Sequence, residues 1–346
     1  MELADYDFTL PPAAIAQQPL AERDAARLLT LERASGVLSH RHVRDLPELL
    51  RPGDLLVLNA TRVVPARLRG AKASGGRTEA LLLGASGAAG CFEALVRARG
   101  RLQIGQRFRF ERGMQGLDAE IADLLGDGRA LLRFAPAADP YVLGEMPLPP
   151  YIGRASADAR DDERYQTVFA RAPGSVAAPT AGLHFTPRLL EAIRARGIAT
   201  CELILHVGIG TFRPLRTEDL AAGALHAERF ELPEASARAV AETRARGGRV
   251  CAVGTTTARV LESCADGSGG VVARSGETRL FLAPGAAFRV VDALLTNFHL
   301  PRSSLLLLVA AFAGREPVLA AYREALALGY RFYSYGDAMW IAHDPK

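Results

Sequence analysis

The stretch Thr186-Pro-Arg-Leu-Leu-Glu-Ala-Ile-Arg-Ala-Arg-Gly197 runs directly into Ile198-Ala-Thr-Cys-Glu-Leu-Ile-Leu-His-Val207, and together they predict a helix followed by a buried strand. Thr186 is a good N-cap, Pro187 suits the first helical position, and Gly197 is a helix terminator. The apolar run Leu203-Ile-Leu205 marks the centre of the strand. A helix joined to a strand in this way is typical of an α/β sheet.

The same alternation extends to both sides of this stretch. Predicted helices cover Pro233–Arg246, Thr255–Cys264, Leu305–Phe312 behind a Ser303 cap, and a segment opened by Pro317 that ends before Gly329. Predicted strands cover Arg27–Leu31, Asp54–Leu58, Val250–Val253 and Asp292–Phe298. We therefore expect the opening segment and the second half of the chain to share one sheet.

Between about Arg62 and Phe134 the pattern changes to short alternating stretches separated by glycine-bearing turns such as Gly126-Asp-Gly128. In Gln106–Phe110 apolar and basic side chains point to opposite faces of a strand. Such strands predict a small barrel or sandwich. The prediction is an α/β sheet domain, residues 1–60 and 151–346, with a small all-β barrel domain inserted at residues 61–150.

Composition limits the class of protein. The 346 residues are 49% apolar and 23% charged with a mean hydropathy of +0.07, which excludes a disordered chain. The longest apolar run, Leu305–Ala313, is far shorter than the about 20 residues of a membrane span. Neither a signal pattern nor paired cysteine spacing is present. We expect a soluble cytoplasmic protein without a metal site.

The positive charge is concentrated in one part of the chain. The net charge is +4, yet Arg62–Arg133 alone holds 13 basic and 7 acidic residues. The remainder of the chain is therefore slightly acidic. Arginine richness by itself fits codon bias, but its placement favours a polyanionic partner for the predicted barrel.

Common nucleotide and nucleophile motifs are missing. The start of a dinucleotide fingerprint at Gly208-Ile-Gly210 is broken by Arg213, and no lysine follows a phosphate-binding loop. Ser175 lacks the second glycine of a nucleophile elbow. These observations disfavour a Rossmann-type cofactor and a serine hydrolase.

Polar residues beside glycine instead follow the predicted strands. Ligands of open α/β sheets bind beyond the carboxyl ends of the strands, and a helix amino end favours a carboxylate. Each residue also has a plain structural explanation as a capping or core side chain. The candidates are His184, His206, Thr211, His226 with Glu228, Thr255 and Thr256, and Asn297 with His299.

Several of these stretches occur together in one known family. They include Asp5-Tyr-Asp-Phe-Thr-Leu-Pro-Pro12, Pro52-Gly-Asp-Leu-Leu-Val-Leu-Asn59, Gly174-Ser-Val-Ala-Ala-Pro-Thr-Ala-Gly-Leu-His-Phe-Thr186, Leu205-His-Val-Gly-Ile-Gly-Thr-Phe212, Thr296-Asn-Phe-His-Leu-Pro301 and Tyr330-Arg-Phe-Tyr-Ser-Tyr-Gly-Asp-Ala-Met339. In these stretches, which span nearly its whole length, the chain resembles the bacterial S-adenosylmethionine:tRNA ribosyltransferase-isomerase family of queuosine biosynthesis. It departs from the family pattern at Ala60, at Gly223 and at Thr257-Ala258.

The resemblance implies a reaction, to which we assign the polar residues at the predicted strand ends and the basic face of the predicted barrel. The ribosyl part of S-adenosylmethionine passes to 7-aminomethyl-7-deazaguanine at the tRNA wobble position, so S-adenosylmethionine is a substrate and no separate cofactor or obligate protein partner is expected. The predicted catalytic residues are His206, His226, Glu228 and His184. The predicted substrate-binding residues are Asn59, Thr61, Arg62, Thr211, Thr255, Thr256, Asn297, His299, Tyr335 and Asp337, and the predicted RNA contacts are Arg107 and Arg109.

Three other functions compete with this interpretation. A non-catalytic RNA-binding module would not need histidines at buried strand ends. An S-adenosylmethionine-dependent tRNA methyltransferase is disfavoured by the missing glycine fingerprint. A nucleotide hydrolase would consume the donor without RNA.

Overall fold

The computed structural model describes residues 2–154, 160–208, 210, 215, 220 and 222–343. The strands are β1 (Arg27–Glu32), β2 (Leu38–His42), β3 (Leu55–Asn59), β4 (Thr61–Val63), β5 (Arg67–Lys72), β6 (Arg77–Ala85), β7 (Cys91–Ala98), β8 (Arg107–Arg112), β9 (Gln115–Gly126), β10 (Arg129–Arg133), β11 (Ala172–Ser175), β12 (Ala199–Leu205), β13 (Ala224–Leu232), β14 (Val250–Val253), β15 (Arg274–Leu280), β16 (Ala293–Asn297) and β17 (Ala338–Ala342). The α-helices are α1 (Leu46–Leu49), α2 (Asp161–Arg164), α3 (Pro187–Ala195), α4 (Glu234–Ala245), α5 (Thr255–Ser263), α6 (Ser304–Ala313) and α7 (Arg315–Ala327).

A large mixed sheet organises the α/β part. Over the described residues its strand order is β15-β13-β12-β3-β14-β16-β17-β1-β2. The four central strands β12, β3, β14 and β16 are mutually parallel. Every residue of β3, β14 and β16 is buried, as expected for parallel strands that are covered on both faces.

Alternate side chains of these strands enter two separate cores. Leu55 and Val57 join the apolar layer beneath α4 to α7, whereas Leu56 and Leu58 join the layer beneath α1 and α3. Successive side chains of a strand point to opposite faces of the sheet, which produces this division. The sheet is thus held from both sides, and its strand ends are fixed relative to one another.

The second unit is a closed barrel with strand order β10-β7-β6-β5-β8-β9 among the described residues. Phe108 and Phe110 point into its core while Arg107 and Arg109 face outward, so the alternation predicted for this strand is confirmed. Gly70 lets β5 approach β8, because a Cβ there would lie 2.2 Å from the Arg109 carbonyl oxygen. The predicted fold class, an α/β sheet with an inserted barrel, is confirmed; the boundaries at 60 and 150 stay predictions.

The helix starts predicted from capping residues agree with the structure, with one exception. The Thr186 hydroxyl accepts from the Leu189 amide at 3.1 Å, as its position before α3 predicted. The last helix, however, does not open at Pro317. It begins at Arg315 behind Gly314, whose φ of +88° turns the chain sharply out of α6, and Pro317 lies within its first turn.

The described helices are short compared with a membrane span. None of them is by itself long and apolar enough to cross a bilayer. Only α6 and α7 taken together, bent by 116° at their junction, reach the required length and composition.

Candidate active site

The carboxyl ends of four parallel strands meet at one edge of the sheet. Asn59 ends β3, His206 follows β12, Gly254 follows β14, and Asn297 ends β16. A cavity opens at this edge, and its lining includes Tyr151, Thr255, Thr256, Asn297, His299 and Tyr333. Four of the predicted substrate-binding residues therefore share one cavity.

The amino end of α5 supplies the donors of this cavity. The preceding Gly254 has φ +91°, and its own amide donates to the Leu295 carbonyl at 2.8 Å. Glycine offers no capping side chain, and the amides of residues 255–257 find no acceptor among the described residues. Thr255 and Thr256 are only 5% and 8% exposed. Buried, unpartnered amides at the positive end of a helix dipole suit an anion such as a carboxylate.

Asn59 ties three elements of the site together. Its Oδ1 accepts from the amides of Thr61 at 3.2 Å and Leu205 at 3.1 Å. Its Nδ2 donates to the Leu205 carbonyl at 3.1 Å and to the Thr256 hydroxyl at 3.2 Å. These bonds connect β3, β12 and α5, and the predicted contact of Asn59 with substrate stays a prediction.

His206 is oriented by Thr61. The Thr61 hydroxyl lies 2.8 Å from His206 Nδ1, which leaves Nε2 without a partner among the described residues. Gly174, with φ +141°, makes room for the ring, because a Cβ there would lie 2.9 Å from His206 Cε1. Burial and then the nearby Arg229 lower the pKa of His206 below 6.5, against an opposing effect of Glu231. A neutral imidazole with one free nitrogen can act as a base.

Two further histidines are buried and neutral. His184 Nε2 lies 3.1 Å from Asn297 Nδ2, and His299 Nε2 lies 2.8 Å from the Thr296 hydroxyl. Burial lowers the pKa of His184 to about 4 and the pKa of His299 to about 3. At neutral pH both side chains serve as hydrogen-bonding groups without charge.

Glu228 has partners that the sequence did not reveal. Its Oε1 accepts from the Gly208 amide at 2.9 Å, and its Oε2 forms a buried ion pair with Arg259. His226 is exposed beside Gly210, where a Cβ would lie 3.0 Å from its Cδ2. The described contacts of Glu228 thus fix Gly208 and Arg259, and its predicted orientation of His226 stays a prediction. Nothing in the arginine-rich sequence distinguished Arg259.

The remaining predicted residues separate into different surroundings. The Tyr335 hydroxyl donates to Asp161 at 3.2 Å, and the buried Asp337 carboxylate is paired with Arg27 and Arg331. Both side chains are thereby engaged by protein groups. Arg62 is exposed on β4, and Thr211 lies outside the described residues.

The two predicted RNA contacts carry balanced charge. Arg107 lies 3.5 Å from Glu120, and Arg109 lies 2.9 Å from Glu111 and 3.1 Å from Asp118. By contrast, the exposed side chains of Arg97, Arg99 and Arg101 form no ion pair within the described chain. Their positive charge is therefore the more available to a partner.

The cavity thus combines helix amides, hydroxyls and one uncharged histidine, His299. Over the described ranges, no three or more His, Cys, Asp or Glu side chains gather closely enough to hold a metal ion. An α/β domain with a barrel inserted in it, and with a cavity at the carboxyl ends of its parallel strands, defines an enzyme that binds a small-molecule substrate at this edge of the sheet.

A family model described as queuosine biosynthesis protein matches residues 3–341, and the chain belongs to this family. It is 49% identical to the S-adenosylmethionine:tRNA ribosyltransferase-isomerase of Moorella thermoacetica, over 99% of this chain and 100% of that protein. It is 51% identical to the protein of the same name from Pelobacter propionicus, with the same coverage. The crystal structure of S-adenosylmethionine tRNA ribosyltransferase from Thermotoga maritima matches with a TM-score of 0.56 at 38% identity, over 97% of this chain and 99% of that chain. The resemblance drawn from the sequence is confirmed.

The buried histidines predict how stability depends on pH. Because the folded pKa of His299 lies below its unfolded value of 6.5, the unfolded chain binds more protons in acid and stability falls as pH drops through 6.5. Between pH 7.5 and 5.5 each such histidine should lower the free energy of unfolding by about 1.4 kcal/mol. Over the same pH range, urea unfolding should show that His299→Gln loses about 1.4 kcal/mol less unfolding free energy than the wild type. An identical pH dependence in both proteins would contradict the neutral state of His299.

Proposed function

We propose that this protein transfers and isomerises the ribosyl moiety of S-adenosylmethionine onto 7-aminomethyl-7-deazaguanine at the tRNA wobble position, with release of adenine and methionine to give epoxyqueuosine. The observation that carries this proposal is full-length similarity, at 49% and 51% identity, to two relatives whose names state the donor, the acceptor and the transfer. The cavity at the strand ends agrees with it. S-adenosylmethionine is consumed as a substrate in this reaction.

The reaction makes three demands on the protein. A base must remove a proton next to the sulfonium, which the positive sulfur acidifies. Adenine must receive a proton or a hydrogen bond as it leaves. The attacking aminomethyl group must be neutral. Groups that exchange protons near neutral pH meet these demands best, and histidine is the usual choice.

His206 is the best placed base among the described residues. Its Nδ1 is fixed by Thr61, and burial keeps the ring neutral by lowering its pKa. Asn59 connects the start of β4 to Thr256, so His206 and the amino end of α5 are held in one frame. We assign His206 and His226 to proton transfer, while Glu228 positions Gly208.

The donor's carboxylate fits the amino end of α5. The unpartnered amides of Thr255 and Thr256 and the helix dipole favour a negative group there. His184 and His299, which are neutral, do not compete for it. This assignment places the methionine part of the donor in the cavity.

The barrel supplies the surface for tRNA in this proposal. Arg97, Arg99 and Arg101 lie at the end of β7 and in the loop that follows, and Lys72 donates to the Arg99 carbonyl, so four basic residues cluster there. Arg107 and Arg109 stay predicted contacts, although their ion pairs reduce the charge that they offer. Phosphate contacts by unpaired cations dominate affinity and release counterions.

The first test separates this function from its alternatives. Incubation with S-adenosylmethionine and tRNA that carries the 7-aminomethyl-7-deazaguanine base should release adenine and increase the tRNA mass by a ribosyl-derived group. A methyltransferase would add only a methyl group, a nucleotide hydrolase would release adenine without tRNA, and a passive RNA-binding module would do neither. Any of these three results would reject the proposal.

The second test concerns the base. His206→Ala should lower the single-turnover rate by about 10²–10⁴-fold, because positioned acid–base catalysis contributes that much. His226→Ala should also slow this step, and Thr61→Val, which removes only the orienting hydroxyl, should cost less than His206→Ala. If His206→Ala and His226→Ala both keep the wild-type rate, the assignment fails.

The third test compares paired with unpaired arginines. The triple change Arg97→Ala, Arg99→Ala, Arg101→Ala should lower the salt dependence of tRNA binding by up to about 0.9 log units per lost contact. The matched double change Arg107→Ala, Arg109→Ala should have a smaller effect per residue, because acidic neighbours already balance those charges. If the double change has a larger effect per residue than the triple change, Arg107 and Arg109 are the RNA contacts instead.

A further inference from the structure

Two buried polar atoms at the cavity have no partner in the described part of the chain. They are Oδ1 of Asn297 and the hydroxyl of Tyr333. Asn297 is 1% exposed, and both residues line the cavity together with Thr255 and Thr256. A buried polar group is normally hydrogen-bonded, so each of these atoms calls for a ligand group or water.

The orientation of the Asn297 amide is fixed by its neighbours. Its Nδ2 lies 3.1 Å from the Tyr333 carbonyl oxygen and 3.4 Å from the Asp337 carbonyl oxygen. If the amide were flipped, its oxygen would face these two carbonyl oxygens, and three acceptors would meet without a donor. The free Oδ1 therefore accepts, and its partner must be a donor.

Tyr333 is held in an uncommon backbone conformation. Its φ is +75°, in the region that side chains other than glycine seldom adopt. The Tyr333 amide donates to the Phe298 carbonyl at 3.1 Å, and its ring lies 3.9 Å from the ring of Tyr151. Burial raises the pKa of Tyr333 far above 10, so the hydroxyl keeps its proton and can donate. Strained residues that surrounding contacts hold in place often serve a binding site.

The complete set of free groups matches one chemical class. The amides of α5 and the Tyr333 hydroxyl offer donors, whereas Asn297 offers an acceptor. A zwitterionic α-amino acid presents the complement, with a carboxylate that accepts and an ammonium that donates. Because His184 and His299 carry no charge at neutral pH, neither repels the ammonium.

We propose that Tyr333 and Asn297 recognise the α-amino-acid end of the sulfonium donor. The Tyr333 hydroxyl donates to the carboxylate held at α5, and Asn297 Oδ1 accepts from the ammonium. Both are specificity-determining residues, and no covalent step is assigned to either. This inference rests on the proposed function, since it takes the donor from there.

The decisive experiment is a double-change cycle, in which the hydroxyl of Tyr333 is removed from the protein and the carboxylate is removed from the donor. Tyr333→Phe should raise KM for S-adenosylmethionine roughly 10-fold, because hydrogen bonds to charged groups contribute about 1.5–3 kcal/mol, and should leave kcat nearly unchanged. With decarboxylated S-adenosylmethionine the same variant should match the wild type. Equal effects of Tyr333→Phe on both donors would overturn the contact.

A matched control and a second arm keep the inference testable. Tyr330→Phe removes a hydroxyl that bonds to His40, away from the cavity, and should leave KM for the donor unchanged. The second arm uses the unmodified protein with a donor that carries hydrogen in place of the α-amino group. Its kcat/KM should fall at least about 10-fold; full activity would remove Asn297 from ammonium recognition and assign its acceptor to another donor group, such as the adenine amine.

Failure of the inference is distinguishable from failure of the proposed function. Calorimetric titration of S-adenosylmethionine measures donor binding without turnover, so the Tyr333→Phe cycle can be read directly as a change in Kd. If the wild type turns over with tRNA but the effects of Tyr333→Phe and of removing the donor carboxylate are additive, only the role of Tyr333 is rejected; full activity of the donor without the α-amino group rejects only the role of Asn297. Absence of tRNA-dependent adenine release in the wild type rejects the proposed function itself.

Discussion

The buried amino end of α5 is the constraint on which the site depends. Backbone amides at residues 255–257 are removed from water and, within the described chain, receive no acceptor. An unsatisfied buried donor costs about 1–3 kcal/mol, so this end of the helix is kept at the expense of stability. Its location directly after β14, with Gly254 turned to φ +91° and bonded to β16, makes the arrangement rigid.

The polar side chains around this helix end fix the geometry of the site through their hydrogen bonds. Asn59 joins β3 to β12 and to the Thr256 hydroxyl, so the amides of α5 and the ring of His206 belong to one hydrogen-bonded unit. On the other side, Asn297 joins β16 to His184 and to the backbone of Tyr333. Fully satisfied buried networks specify a unique arrangement, and an unpaired polar group within them is costly, so Asn297 Oδ1 and the Tyr333 hydroxyl are where we expect a ligand to bind.

Sequence patterns could predict the frame of this site because the relevant signals are local. The Thr186 cap, the apolar run of β12 and Gly254 before α5 each act within a few residues. They placed His206, Thr255 and Asn297 at strand ends, and a shared edge followed from the parallel order. The start of the final helix was predicted wrongly because Gly314 caps it, so the helix begins at Arg315 and Pro317 falls within its first turn.

The details that sequence reasoning missed are all tertiary. Arg259 reaches Glu228 from a helix 31 residues away, and no local pattern announces such a pair. Tyr333 matters through its positive φ and an unpartnered hydroxyl, neither of which is visible in a sequence. In the same way the acidic neighbours of Arg107 and Arg109 become apparent only when β8 pairs with β9.

The low pKa values of the buried histidines fit the charge of the proposed donor. S-adenosylmethionine carries a positive sulfonium, and protonated imidazoles beside it would oppose binding by Coulomb repulsion at low dielectric. Burial lowers the pKa of His184 and His299 enough to keep both neutral, so the positive end of the α5 dipole is left to attract the donor's carboxylate. With that carboxylate fixed at α5, the short methionine chain limits how far the sulfonium can lie from the helix end. His206 is tied to the same helix through Thr61 and Asn59, which is why we propose it as the base for the acidified carbon.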